Sequence, residues 1–78
     1  MSKESLLNRI SDKELSTDEL TIKVDGAFYQ IFSKQETLIQ AIKNNINDIV
    51  PEQYSLFYLS DTSYSLPTRQ YSVSFVVK

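Results

Sequence analysis

The chain of 78 residues contains no cysteine, no histidine and no tryptophan, and it has only one glycine and two prolines. Without cysteine there is no disulfide framework, thiolate metal site or cysteine nucleophile. Without histidine there is no imidazole ligand and no histidine general base. A single glycine excludes a glycine-rich phosphate loop. The sequence therefore predicts a protein that is not an enzyme and that uses no metal or other cofactor.

Neither sign of charge predominates, since eight basic and ten acidic residues leave a net charge of only −2. Nucleic-acid-binding proteins usually carry a basic stripe, which this sequence lacks, so a nucleic-acid partner is not expected. No stretch approaches the roughly 20 apolar residues that span a bilayer, and the N-terminus has no apolar run of signal-peptide length. With no cysteine to oxidise, we expect a cytoplasmic protein without a membrane partner.

The residues that are present suit one small folded domain covering residues 1–78, because 41% are hydrophobic and 12% are aromatic. Residues 3–10 have helical apolar spacing, with Ser2 as a candidate N-cap, so residues 1–18 are interpreted as an N-terminal helical segment. Residues 19–78 form the predicted core. A core of this size provides only about 3–5 kcal/mol of net stability.

A hairpin opens the core region. Residues 19–24 and 27–32 alternate apolar and polar side chains on either side of Asp25-Gly26, which predicts a type I′ turn at those two residues. That turn would place Ile22 opposite Tyr29, both on the core face. A helix over 34–49 follows, with Ser33 to Glu36 as its capping box and Pro51 ending it. Strands are predicted at 54–59 and 70–77, so the element order is (α)ββαββ.

These elements predict an α+β fold of β-grasp type, with a ferredoxin-like fragment or an irregular α+β sandwich as alternatives. The helix must cover one face of the sheet, and a right-handed crossover would bring a later strand parallel to the first, which gives a small mixed sheet with one main helix on one face. Three groups of residues in these elements match the pattern of a known family. They are Ile22-Lys23-Val24-Asp25-Gly26 with Tyr29, Pro51-Glu52 with Tyr54, Leu56, Tyr58 and Leu59, and the closing strand Ser74-Phe75-Val76-Val77. In these residues the chain resembles the ubiquitin-like β-grasp family, in particular prokaryotic ubiquitin-like domains found with conjugation-type enzymes. The resemblance implies a modifier activated at a C-terminal glycine pair, whereas this sequence ends in Val76-Val77-Lys78.

Candidate binding residues are apolar side chains that the alternation places away from the core. Phe28 and Phe32 fall on the second face of the hairpin, and Phe57 and Leu59 fall on the second face of their strand. Either residues 1–18 cover this face, or it is an exposed aromatic patch that binds a protein. Tyr64, in the predicted loop 60–69, is a further candidate contact. The strand 27–32 is expected to lie at an edge, where a second copy could add to form a homodimer.

Acidic residues supply the second candidate surface. Asp48, Glu52 and Asp61 lie between Asn44 and Pro67, a stretch without lysine or arginine. The ordinary interpretation is a solvated surface, and the alternative is a surface for a basic partner. We therefore expect a non-enzymatic protein-interaction module that binds a partner protein through its sheet face. One alternative is a small acidic phage-type inhibitor of a bacterial defence or nucleic-acid enzyme, of the anti-CRISPR or anti-restriction class. The other is a ubiquitin-like modifier.

Overall fold

The computed structural model describes residues 1–78 and confirms an α+β protein with three helices and a five-stranded sheet. None of the helices has the length and apolar character that a membrane-spanning segment requires. The elements in chain order are α1 (Lys3–Asp12), β1 (Thr21–Asp25), β2 (Phe28–Ser33), α2 (Glu36–Asn44), α3 (Ile46–Ile49), β3 (Leu56–Leu59), β4 (Ser63–Ser65) and β5 (Gln70–Val77).

Strand β5 organises the sheet. Strand β2 pairs along one side of it, and β3 and β4 pair with successive parts of its other side, while β1 pairs only with β2. Every pairing is antiparallel, so the predicted mixed sheet is wrong. The helical crossover after β2 does return β3 in the same direction as β2. However, β5 inserts between the two, so no neighbouring strands are parallel and the β-grasp pairing of first and last strands is not found.

The hairpin of β1 and β2 turns one residue later than predicted. Asp25 pairs with Phe28, so the two turn residues are Gly26 and Ala27. Only Gly26 has a positive φ, of 61°, as a type II′ turn requires at its first central position. The register is consequently shifted by two residues, and Ile22 pairs with Ile31 rather than with Tyr29. Because side chains alternate with a period of two, a two-residue shift leaves the residues of both strands on their predicted faces, whereas Ala27, which was predicted on the core face, lies exposed in the turn.

Strand β2 lies inside the sheet, between β1 and β5. The predicted edge position of residues 27–32 is therefore wrong, and this strand has no free edge to which a second copy could add. The two-residue turn brings β1 to one side of β2, and the returning strand β5 occupies the other side. The free edge on this side of the sheet belongs to β1.

Local side-chain hydrogen bonds set where the helices begin and end. The Ser2 hydroxyl accepts from the Ser5 N–H at 3.1 Å, which confirms the predicted N-cap of α1. The predicted helix 34–49 begins only at Glu36, because the buried Ser33 hydroxyl accepts from the Gln35 N–H in a turn that precedes the helix. It is divided at Asn45, whose side-chain amide donates to the Ala41 carbonyl at 2.8 Å.

The core lies on one side of the sheet, which we call the inner face. Its central contact is the stacking of Tyr29 on Phe75, with ring centres 5.1 Å apart. Leu6 and Ile10 of α1 are fully buried in the same cluster, and the Tyr29 hydroxyl donates to the Met1 carbonyl at 2.8 Å. The N-terminal segment therefore packs on the inner face together with α2 and α3. The expectation that residues 1–18 could cover the opposite, outer face is wrong, because Leu6 and Ile10 complete the main core instead.

A β-bulge in β3 changes which residues face outward. Leu56 pairs with Val77 and Leu59 pairs with Phe75, so both leucines lie on the inner face, and Tyr58 lies outward between them. Phe57 is the extra residue of the bulge. Leu59, which simple alternation placed on the outer face with Phe57, therefore packs against the core. An extra residue in one strand reverses the alternation beyond it.

Candidate functional site

The outer face of the sheet has no helix over it, because all three helices contribute to the core on the inner face. Its side chains come from alternate residues of the five strands and form cross-strand rows. One row is apolar apart from Asp25, one is polar, and one contains a single aromatic residue. In order they are Asp25, Phe28, Val76 and Tyr58; Lys23, Gln30 and Ser74; and Thr21, Phe32, Ser72 and Ser63.

Phe28, Val76 and Tyr58 lie side by side on β2, β5 and β3, and we call them the outer-face patch. Phe28 and Val76 are half-buried, and Tyr58 is 50% exposed. Phe57 adjoins the patch at the bulge and is 63% exposed, with the Lys78 ammonium 4.3 Å from the centre of its ring. Large apolar side chains that no other element covers, at adjacent sheet positions, are typical of a contact surface.

Phe32 lies at the other end of the outer face. Pairing places Gln30 between it and Phe28 along β2, so the two predicted aromatic residues do not form one continuous cluster. The Lys23 ammonium lies 5.3 Å from the centre of the Phe32 ring. These two residues line an open groove of about 280 Å³ whose other walls are the polar side chains Thr21, Ser65, Thr68 and Gln70. Phe32 therefore belongs to a mainly polar site, distinct from the outer-face patch.

The three predicted acidic residues do not join the outer-face patch. Asp48 lies in α3, in the helical layer on the opposite side of the sheet, and its carboxylate pairs with Lys13 at 3.1 Å. Asp61 follows β3 and pairs with Lys43 at 3.2 Å. Glu52 is exposed in the turn after α3. No three carboxylates come together in an arrangement that could hold a metal ion.

Tyr64 lies in the short strand β4, so the prediction of a loop over residues 60–69 is wrong at this position. It pairs with Tyr71, and the two rings pack at a tilt with their centres 4.7 Å apart. Half of Tyr64 remains exposed. Because Tyr71 packs against the core on the inner face, its neighbour Tyr64 also lies on the inner side of the sheet and is separate from the outer-face patch. The contact with Tyr71 gives it a packing role in holding β4 to β5.

The hydroxyl of Tyr29, a core residue, has a perturbed pKa. Burial of the Tyr29 side chain raises the pKa of its hydroxyl above 10.0, and the neighbouring Tyr54 adds to the effect. The Tyr54 hydroxyl in turn accepts from the Met1 ammonium group at 2.9 Å. These groups hold the start of the chain against the sheet. They face away from the open surface, so the raised pKa indicates a structural hydrogen-bond network rather than a reactive centre.

Two members of the outer-face patch were missed in the sequence. Val76 could have been found, because it continues the alternation of Ser72 and Ser74 on β5. Tyr58 could not, because simple alternation places it with Leu56 and only the bulge at Phe57 reverses that placement. The chain matches no known family model, no curated protein and no solved structure.

Proposed function

We propose that this protein is a non-enzymatic interaction module that binds a partner protein through the outer-face patch of Phe28, Tyr58 and Val76. The single observation that supports this most is that the patch lies on a sheet face with no helix over it, while all three helices pack on the other face. A small domain gains stability by burying its apolar side chains. Three such residues, aligned on the outer face, therefore indicate a surface that a second protein covers.

The chemistry of the patch suggests how a partner binds. Tyr58 offers an apolar ring with a hydroxyl at its tip, which is the kind of side chain that often dominates binding energy at protein interfaces. The neighbouring Gln30 and Ser74 supply a polar border with donors and acceptors. Since an apolar contact depends little on ionic strength, binding at this patch should persist at high salt.

The test is capture from a lysate of the source organism with the tagged full-length chain. The Phe28→Ala, Tyr58→Ala double variant should lose the captured partner, because it removes both rings of the patch. Leu66→Ala is the matched control, since Leu66 is 75% exposed but lies in the connection between β4 and β5. Far-UV circular dichroism must first show that each variant is folded.

Equal capture by the wild type and the double variant, in folded form, would exclude the patch as the binding surface. Loss of capture in the Leu66→Ala control as well would mean that binding depends on general exposed apolar surface. Retention by the control and loss by the double variant is the result that the proposal requires.

The two alternative functions gain less support from the geometry. An acidic inhibitor would present free carboxylates to a basic enzyme, but Asp48 and Asp61 are each paired with a lysine. A ubiquitin-like modifier would be expected to have the β-grasp pairing, and here β1 is separated from β5 by β2. The outer-face patch needs neither feature.

A further inference from the structure

The strand β1 is an open edge of the sheet. Residues Thr21–Asp25 pair with β2 on one side, and no strand pairs with them on the other. An edge strand presents unpaired backbone N–H and C=O groups, which can pair with another extended strand. The strand is short and carries the charges of Lys23 and Asp25, and Val24 on its inner face is 42% exposed.

The direction of the backbone groups in β1 follows from the ladder. In an antiparallel pair, residues alternate between those whose N–H and C=O groups point to the partner strand and those whose groups point away. The Val77 N–H donates to the Ala27 carbonyl, so the odd-numbered residues of β2 face β5 and its even-numbered residues face β1. Their partners in β1 are Thr21, Lys23 and Asp25. Ile22 and Val24 therefore direct their N–H and C=O groups outward.

Charge selects one way in which two such edges can pair. If a two-fold axis passes through Val24, Lys23 of each copy lies opposite Asp25 of the other copy. A two-fold axis at Lys23 would oppose the two lysines. An axis at Ile22 would place Lys23 opposite Thr21 and leave Asp25 beyond the end of the second copy's strand, so no ion pair would form between the copies. Like charges directly opposite each other on neighbouring strands destabilise the pair, and opposite charges stabilise it.

The register centred on Val24 also fits the other observations. Val24 would form a hydrogen-bonded pair with its own copy, because its backbone groups point outward. Lys23 and Asp25 would form the closer, non-hydrogen-bonded pairs, with Cα atoms about 4.5 Å apart. Neither of these two residues takes part in an ion pair within the chain. The exposed Val24 side chains would meet on the inner face.

We propose that a second copy of this chain pairs antiparallel with the free edge of β1, about a two-fold axis at Val24, and forms two Lys23–Asp25 ion pairs between the copies. The two sheets become continuous, and both outer-face patches then lie on the same side. A contact between two five-residue strands buries less than the roughly 1,200 Å² of a stable interface, so the dimer is weak and depends on protein concentration. This edge is separate from the outer-face patch and does not depend on the function proposed for it.

Sedimentation of the full-length chain at low ionic strength, over a concentration series reaching the millimolar range, tests the proposal. The wild type should show a monomer–dimer equilibrium. Lys23→Asp alone and Asp25→Lys alone should each raise the dimer dissociation constant about tenfold, because two attractive pairs become two repulsive ones. The double variant with both changes should recover dimerisation. A wild type that stays monomeric, single variants that dimerise as well as the wild type, or a folded double variant that fails to recover would overturn the proposal.

A cysteine cross-link tests the register, since the chain has no other thiol. Val24→Cys places two cysteines at the two-fold axis with Cα atoms about 5.5 Å apart, within the range that a disulfide spans. Thr21→Cys is the matched control on the same strand, because its two copies lie far apart in this register. Under mild oxidation Val24→Cys should form disulfide-linked dimers much faster than Thr21→Cys. Equal rates in folded proteins would overturn the proposed register.

Discussion

Replacing Ile10 by alanine should remove most of the protein's free energy of unfolding. Ile10 is 0% exposed and packs, together with Leu6, in the same core as Tyr29. Removing three buried carbons from an isoleucine costs about 2–5 kcal/mol, whereas a core of this size provides a net stability of only about 3–5 kcal/mol. Ile10→Val removes a single methylene and should cost about 0.5–1.5 kcal/mol. The milder variant should therefore remain folded with a lower free energy of unfolding.

The assay is urea unfolding followed by far-UV circular dichroism, since the chain has no tryptophan. Asn8→Ala is the matched control on the same helix, because Asn8 is exposed and its replacement should change the free energy of unfolding by less than about 0.5 kcal/mol. If Ile10→Ala and Asn8→Ala unfolded at the same urea concentration, α1 would not belong to the main core. The inner-face position of residues 1–12 would then be refuted.

Three further predictions concern Arg9, Gly26 and Tyr29. Arg9 donates to the Asp48 and Ile49 carbonyls at the end of α3, so Arg9→Ala should lower the free energy of unfolding by about 1–2 kcal/mol, and Arg9→Lys should restore only part of it, as urea unfolding will show. Equal stability of wild type and Arg9→Ala would contradict the role of this contact. Gly26 has a φ of 61°, so Gly26→Ala should cost about 1 kcal/mol and Gly26→Asn less, as thermal unfolding will show. Equal losses would argue against backbone strain as the cause. Burial raises the pKa of Tyr29 above 10.0, so the fold favours its protonated form; its contribution to stability is complete below pH 10.0 and is lost as the pH rises through the raised pKa. Urea midpoints measured up to alkaline pH should fall less for Tyr29→Phe than for the wild type, and parallel curves would contradict this linkage.

The sequence predicted which residues of the hairpin and of β5 face the core, because that property depends only on alternation. The two-residue shift in register, caused by the turn at Gly26 and Ala27, left Ile22 and Tyr29 on the core face. For the same reason the outward positions of Phe28 and Phe32 are confirmed. Their role in binding stays a prediction.

The topology could not be read in this way, because it depends on contacts between distant parts of the chain. Local patterns do not show that β5 inserts between β2 and β3, and this insertion makes the sheet wholly antiparallel. Nor do they show which face α1 covers, because the spacing of Leu6 and Ile10 suits either face. No glycine or proline marks the bulge at Phe57 in the sequence. Because of this bulge, Leu59 faces the core and Tyr58 faces the surface, the reverse of what simple alternation predicts.

The proposed binding surface for a partner protein consists of Phe28, Tyr58 and Val76. Its most direct test is the affinity of the captured partner, measured by isothermal titration calorimetry for the wild type, for the Phe28→Ala, Tyr58→Ala variant and for Leu66→Ala. Because truncation of one central aromatic residue often costs about 2 kcal/mol or more, the double variant should bind at least about tenfold more weakly, and Leu66→Ala should bind like the wild type. An unchanged affinity of the folded double variant would contradict the claim.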